Sequence, residues 1–385
     1  MRHVAEWGSV LMAAVVSTGH AQAVPHLSAT RDLDIDAASA DLSRTSWMTV
    51  SRSGDILVAQ MDDGVIKVFS PAGQSRTIGH KGGGPGEFAR LTRLGWIGDT
   101  LWTLDPANNR ITFFGPDYKL LRTIPEPVGI QQRDGSGRLV DTGIEAYIQA
   151  VIAPGDLRAV IPITHPKAPW ENGIDSGSSL LARINRDGVY KSRIAVEPPE
   201  PACHKRFEAT KGTAEFLVPF CAIEVSTDWD GSGPVAVATP LIAGRTTGYD
   251  IELIDESGRS VFKRSTTTVP VMIPKSKSDS ANAAHNKWVA RLSPGLRSAA
   301  PSYQTPRIYP AVRRVLVGRD HSVWVEERNA APGHTWRVFD PTGMVKGTLQ
   351  LPENVSLQAA QLGTVWGFET DEDGLQGVVR YRVTR

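Results

Sequence analysis

The sequence predicts an all-β chain: a six-bladed β-propeller of four-stranded antiparallel blades, with loop insertions and one short helix. Three observations lead there: a phrase that recurs, a hairpin that recurs with it, and the spacing of the hairpin ends. The phrase is Val68-Phe69-Ser70-Pro71-Ala72-Gly73, which returns as Phe113-Phe114-Gly115-Pro116-Asp117-Tyr118 and Val338-Phe339-Asp340-Pro341-Thr342-Gly343. Internal repetition on this scale marks an array of one supersecondary unit.

The first unit runs from the turn Gly54-Asp55 through Ile56-Leu57-Val58-Ala59, the turn Asp62-Asp63-Gly64, and Val65-Ile66-Lys67-Val68-Phe69. In the second, Gly98-Asp99 leads to Leu101-Trp102-Thr103-Leu104, a polar corner at Asp105 to Asn109, and Ile111-Thr112-Phe113-Phe114. Apolar runs of strand length with Asn, Asp and Gly at the corners are antiparallel hairpins. Leu57 corresponds to Trp102 and Phe69 to Phe114, and the interval from Leu57 to Phe69 is 12 residues, as it is from Trp102 to Phe114. Near the C-terminus Trp324 leads to Phe339 and Trp366 to Tyr381 over 15 residues, so these hairpins have longer tips. Fainter copies end at Ile184 and Ile254.

The hairpin ends at 69, 114, 184, 254, 339 and 381 are separated by 45, 70, 70, 85 and 42 residues. The short intervals fit a four-stranded blade and the long ones imply insertions. Between residues 125 and 312 the pattern is weak, and seven or eight blades are the alternatives there. One insertion spans Ser276 to Ser293 and reads as the helix, between the fourth and fifth units. Another, Thr164 to Ser179, is rich in Pro, Gly and Ser and reads as a surface loop. Each small sheet has apolar positions on both faces, and stacking in a closed ring covers them while leaving short edges. Leu33-Asp34-Ile35-Asp36 is expected to complete the last blade and join the chain ends.

Composition limits the partners. Lys and Arg number 42 against 41 Asp and Glu, for a net charge of +1, which excludes nucleic acid as the main partner. Residues 1–23 read as a signal peptide: Arg2 and His3, the apolar run Val10 to Val16, and Ala21-Gln22-Ala23 as a small-x-small cleavage site. Glu6 and the shortness of that run depart from the pattern. No later stretch reaches the ~20 apolar residues of a membrane span. A secreted or periplasmic monomer is expected, with 24–385 as one propeller domain. Cys203 and Cys221 would form a disulfide in that compartment, with about 3 kcal/mol of loop-closure stabilisation, or else stand as two unrelated buried thiols.

Ile78-Gly79-His80-Lys81-Gly82-Gly83-Gly84-Pro85-Gly86-Glu87-Phe88 precedes Leu101-Trp102-Thr103-Leu104-Asp105-Pro106-Ala107-Asn108-Asn109-Arg110-Ile111. Together they resemble the G-x-G-P-G-E-F run and the D-x-x-n-n-R-I strand pair of exported bacterial six-bladed β-propellers of the NHL-repeat type. The resemblance covers 50 to 120 and returns over 313 to 345. It implies the fold and a binding or scaffold role, and it brings no catalytic residues. On its own chemistry the run reads as a structural turn between blades, with Gly84 and Gly86 allowing the turn and Pro85 stiffening it. Glu87 caps loop amides and Phe88 tucks between blades. A phosphate loop is excluded because Lys81 precedes the glycines and no helix comes after them.

Catalytic constellations are absent from the pattern. The nine histidines form no H-x-x-x-H spacing, and no G-x-S-x-G elbow exists. Asp228-Trp229-Asp230-Gly231 and Asp371-Glu372-Asp373-Gly374 open like calcium loops but lack the remaining ligands. No metal ligand is assigned and no cofactor is expected; a calcium ion on the propeller axis is the one considered. Trp102, Trp324 and Trp366 read as blade packing, whereas Trp170, Trp229 and Trp288 are the binding candidates. The expected function is an exported binding or scaffold propeller. It would hold a protein, peptide or glycan on its loop rim or axial pocket. The alternative is a metal-assisted hydrolase or lyase using axial carboxylates.

Overall fold

The computed structural model describes residues 24–152, 155–163, 168–197, 204–209, 212–217, 219–220, 226–229, 233–243 and 246–385. The signal-like segment 1–23 and both members of the Cys203–Cys221 pair lie outside the described residues.

After β1 (His26–Ile35) the chain repeats one plan, four strands in meander order. The first sheet holds β2 (Thr45–Val50), β3 (Ile56–Gln60), β4 (Val65–Phe69) and β5 (Ser75–Ile78). The second holds β6 (Arg93–Ile97), β7 (Thr100–Asp105), β8 (Arg110–Phe114) and β9 (Leu120–Pro125). A two-stranded hairpin, β10 (Gln131–Arg133) and β11 (Leu139–Asp141), precedes the third sheet. That sheet comprises β12 (Tyr147–Ile152), β13 (Asp156–Pro162), β14 (Ser179–Ile184) and β15 (Tyr190–Glu197). A second hairpin, β16 (His204–Ala209) and β17 (Gly212–Leu217), leads to the fourth sheet. Its strands are β18 (Ser226–Trp229), β19 (Val235–Ala243), β20 (Thr246–Ile254) and β21 (Ser260–Thr268).

Two helices come next, α1 (Lys275–Ala290) and α2 (Pro294–Ala299), where the sequence predicted one. Pro294 opens α2, and a proline is tolerated in a helix only at its first turn. The remaining strands are β22 (Val312–Val317), β23 (Val323–Glu327), β24 (His334–Phe339), β25 (Val345–Leu351), β26 (Val355–Gln361), β27 (Thr364–Thr370) and β28 (Gln376–Thr384). With β1 they form one eight-stranded sheet, in which β1 lies between β25 and β28. β1 runs antiparallel to β28 from Ser28↔Thr384 to Ile35↔Val378 and touches β25 in parallel only at His26 and Leu27. The expected closure by Leu33 to Asp36 is thus made by a strand that starts seven residues earlier and ends at Ile35.

Every predicted hairpin end falls in the third strand of its set: β4, β8, β14, β20, β24 and β28. The second strands are buried almost throughout, β3 over its full length, because sheets cover them on both faces. That is why they read as unbroken apolar runs rather than alternations. Trp102, Trp324 and Trp366 sit in β7, β23 and β27 at 2%, 0% and 4% exposure, as packing residues.

Each core cluster joins two consecutive sheets or, in one case, the β22–β25 and β26–β28 halves of the eight-stranded sheet. Leu57 and Ile66 pack against Leu94 and Leu101, Trp102 and Phe113 against Leu157 and Leu180, and Leu181 against Val235. Tyr249 packs with Val323, Trp324 with Val365, and Trp366 and Val378 with Val50 and Val58, which returns to the first sheet. This circular order is a propeller-like arrangement. First strands of neighbouring sheets meet along the inside, as in β2 with β6 and β26, and β22 with β18 and β26. Antiparallel alternation puts every connection from a second to a third strand at the same end as the crossover to the next sheet. That rim carries both extra hairpins, both helices and residues 168–178 of the β13–β14 connection; the fully described turns of the opposite rim are tight.

Candidate functional site

The long connection between the second and third sheets builds one wall of the site. Ile130 donates its amide to Ile144 O at 2.9 Å, and Thr142 donates to Ile130 O at 3.1 Å, so the two arms of the β10–β11 excursion are clamped at the base. Ile130 and Ile144 are buried in the core between the two sheets. At the tip the Asp134 carboxylate accepts the amides of Ser136 and Arg138. Bonds from Ser136 lower its pKa below the ordinary carboxylate range. The hairpin is pinned to the third sheet by Gln131 N to Gly188 O at 3.0 Å and by an Arg133–Asp187 ion pair at 2.9 Å.

The opposite wall comes from the connection between β13 and β14. A single 3-10 turn, Pro169–Glu171, is closed by the Glu171 carboxylate accepting Ala168 N at 2.7 Å. Ile174, at 6% exposure, anchors the returning arm of this connection in the core, so the segment is more than the surface loop the sequence predicted. Trp170 is held from two sides. Its carbonyl accepts from Arg193, and its ring stacks on Tyr190 with centroids 4.4 Å apart and planes 7° from parallel.

Between the walls lies a recess of about 670 Å³, in the range that takes small ligands. Trp170, Tyr190, Ile130 and Val140 give it apolar surface; Gln132, Asp134, Asp141 and Thr142 give it polar edges. Burial raises the Tyr190 phenol pKa, so the hydroxyl stays protonated at neutral pH. Among the described residues neither that hydroxyl nor the Gln132 amide has a hydrogen-bond partner. Aromatic faces beside uncommitted donors and acceptors can hold a ligand carrying both C–H faces and hydroxyls. Among the described residues the recess lining includes no His, Cys or Ser.

No known family pattern matches the chain, and no curated protein does. Solved structures similar to it include a member of the DUF4221 family from Bacteroides vulgatus, at 10% identity and a TM-score of 0.47, covering 93% of this chain and 99% of that one. An aldose sugar dehydrogenase from Streptomyces coelicolor, solved with PQQ, is 14% identical with a TM-score of 0.41, covering 94% and 100%. A gluconolactonase from Xanthomonas campestris is 11% identical with a TM-score of 0.38, covering 94% and 99%. Likenesses this distant carry no chemistry across, and the propeller-like arrangement rests on the chain's own sheets and core clusters.

Of the three tryptophans singled out as binding candidates, only Trp170 lines the recess. Trp288 lies on α1, where its ring meets Phe207, Phe216 and His285, so it fastens the helix to the β16–β17 hairpin. Trp229 belongs to β18 rather than to a loop. Tyr190 escaped the sequence reading, although it begins the strand after the Asn185 to Gly188 turn.

The glycine run is tied from within. Gly84 N donates to the Glu87 carboxylate at 2.6 Å, and Phe88 is fully buried with its ring 6.2 Å from that of Phe114. Asp105 accepts the amides of Ala89 and Arg90 at 2.9 Å, while Asn108 and Arg110 donate to Gly82 O and Gly83 O. Gly86 has φ +78°, and Pro85 stays exposed. Gly84 does not use the left-handed region; a Cβ there would stand 3.0 Å from the Glu87 carboxyl carbon.

On the axial side, β2, β6, β12, β22 and β26 contain Arg93, Arg313 and Arg314 but no Asp or Glu; Asp228 on β18 is the acidic residue of the six first strands. Among the described residues no group of three or more His, Cys, Asp or Glu is placed to hold a metal ion. No helix among them is long and apolar enough to cross a membrane. Asp371, at the head of one calcium-like phrase, accepts Leu375 N at 2.8 Å as a turn cap.

Proposed function

We propose that this chain is an exported six-bladed propeller that binds a glycan in the recess between the second and third sheets and does no chemistry on it. The observation that carries the reading is the Trp170–Tyr190 stack on the wall of the 670 Å³ recess. A sugar ring offers an apolar C–H face to an aromatic surface and a girdle of hydroxyls to Gln132, Asp134 and Asp141. The four separate sheets and the two halves of the eight-stranded sheet support a count of six blades. The basic segment, apolar run and Ala21-Gln22-Ala23 site support export.

The test is calorimetric titration with a panel of neutral and acidic oligosaccharides, repeated on Trp170→Ala. A ligand that binds the wild type should lose about tenfold or more in affinity in the variant, the loss of one aromatic contact worth about 1.4 kcal/mol. The variant should still fold, because Trp170 lies outside the strands, with a melting temperature lowered by loss of the packing its ring makes on Tyr190 and the core cluster. Undiminished binding in the variant, or hydrolysis of the oligosaccharide by the wild type, would overturn the reading.

A further inference from the structure

Where β22 meets the insertion-bearing rim, an arginine and a histidine share one carboxylate. Arg313 Nε lies 3.1 Å from Glu326 Oε1, and His334 Nδ1 lies 2.7 Å from the same oxygen. The neighbouring Glu327 is taken by Arg337 and by the Tyr249 hydroxyl, the latter at 2.7 Å. Arg328, first residue of the loop after β23, donates its amide to Ala311 O at 2.8 Å, which sets it beside the start of β22. Its guanidinium lies 4.3 Å over the Tyr309 ring. Tyr309 is itself fixed, with its amide on Val271 O at 2.9 Å and its ring edge-on to Phe220 at 5.4 Å.

Among the described residues Arg328 therefore has a platform but no carboxylate of its own. It makes no ion pair with any described residue, and its Nε is buried without a hydrogen-bond partner. Burial, and then the charge of Arg313, lower its pKa, and the pull of Tyr309 and Glu326 does not make up the difference. The cation is incompletely compensated. An arginine stacked on an aromatic ring keeps its N–H fork free in the plane, the geometry that grips a carboxylate or phosphate through two parallel bonds. A half-buried cation without a partner costs stability unless something negative completes it.

We propose that Arg328 and Arg313, on the Tyr309 platform, form a binding site for an oxyanion, a carboxylate or a phosphate group, at the rim beside the axial strands. The site is independent of the glycan recess, because it uses the β22–β25 half of the eight-stranded sheet and none of the recess residues. Arg313 supplies the more exposed approach, and Arg328 supplies the desolvated end where the bond is stronger.

The test is thermal unfolding of the purified protein with inorganic phosphate, with succinate, and with potassium chloride at matched ionic strength. Specific binding should raise the melting temperature by about 2 °C or more above the chloride control, and the effective salt identifies the phosphate or carboxylate source. In Arg328→Met that increment should vanish, while the ligand-free variant should melt no lower than the wild type, because an uncompensated charge has been removed. Arg328→Lys, which keeps the charge but not the fork, should retain only part of the increment. A wild-type shift no larger than with chloride overturns the proposal even if no variant folds. A full increment in Arg328→Met overturns it as well.

Discussion

Gly73 and Gly343 occupy the same step of the repeat and differ in what a methyl group would meet there. Both close the turn between the third and fourth strands, with φ of +81° and +80°. Around Gly73 nothing lies within 4 Å of an added Cβ, whereas at Gly343 the Cβ would stand 2.6 Å from Phe262 Cγ. The left-handed conformation alone disfavours alanine by about 1 kcal/mol. Gly73→Ala should therefore lower stability by about that much, and Gly343→Ala by about 2 kcal/mol or more, since Phe262 stacks against Phe339 and cannot move freely. Urea midpoints of the two variants check this, and equal losses would remove the steric argument. The second copy has Tyr118 at this step with φ +60°. Its strain is offset by a buried ring, a hydroxyl bonded to Asp55 at 2.7 Å, and Arg76 stacked 4.0 Å away. The recurring phrase was legible because a left-handed turn admits few residues. The Trp170–Tyr190 contact was not, because nothing local in either residue's neighbourhood encodes the other.

At the scale of the element, the same turn is built by a side chain that adds its own bonds to those of the backbone. Asp255 Oδ1 accepts the amides of Ser257 and Arg259 at 2.8 and 3.0 Å, and Asp340 Oδ1 accepts those of Thr342 and Met344 at 2.9 and 3.0 Å. Asn185 Oδ1 does the same for Asp187 and Val189. Bonds from Ser257 bring Asp255 down to a pKa of about 2. For Asp340 burial pushes upward, and the bonds from Thr342 and Met344 outweigh it. A carboxyl whose folded pKa is depressed contributes stability above its unfolded pKa and loses it as pH falls toward the folded value. The melting temperature should therefore drop between about pH 4.5 and about pH 2.5. The double variant Asp255→Asn, Asp340→Asn should keep the caps, as Asn185 does, and drop less over that interval. Identical profiles would show that these caps do not carry the acid sensitivity. Strands were readable where burial on both faces gave apolar runs. β13 was missed because it includes Arg158, fully buried with its guanidinium bonded to Gly233 O, and ends at Pro162. The hairpins β10–β11 and β16–β17 were missed because their strands carry many polar residues and are supported from far along the chain, the first by the third sheet and the second by the two helices.

For the whole molecule the decisive element is β1, the one strand that joins the start of the described chain to its end. Leu33 and Ile35 pack on the cluster shared by the last strands and the first sheet, and Leu27 and Ala29 on the cluster between β22–β25 and β26–β28. Asp32 pairs with Arg380 of β28 at 2.9 Å and Arg31 with Glu369 of β27, so charge as well as backbone bonding holds the strand to the last sheet. The closure was foreseeable because alternating Asp32, Leu33, Asp34 and Ile35 describe a half-covered strand with no partner nearby in sequence. The functional recess was not foreseeable by the same means, since its lining comes from 130–144, 168–170 and 189–190 and meets only after the second and third sheets have stacked. If β1 closes the ring, a chain beginning at residue 36 leaves β28 as an open edge and uncovers apolar side chains in two clusters. The loss should be about 3 kcal/mol or more, from several partly buried apolar side chains and the strand's backbone bonds. A synthetic peptide of residues 24–36 should bind the shortened chain and restore its melting temperature, because the missing strand is a separable piece of the last sheet. A shortened chain that melts with the full one would show that the ring is held by sheet stacking alone, with β1 merely lying on its edge.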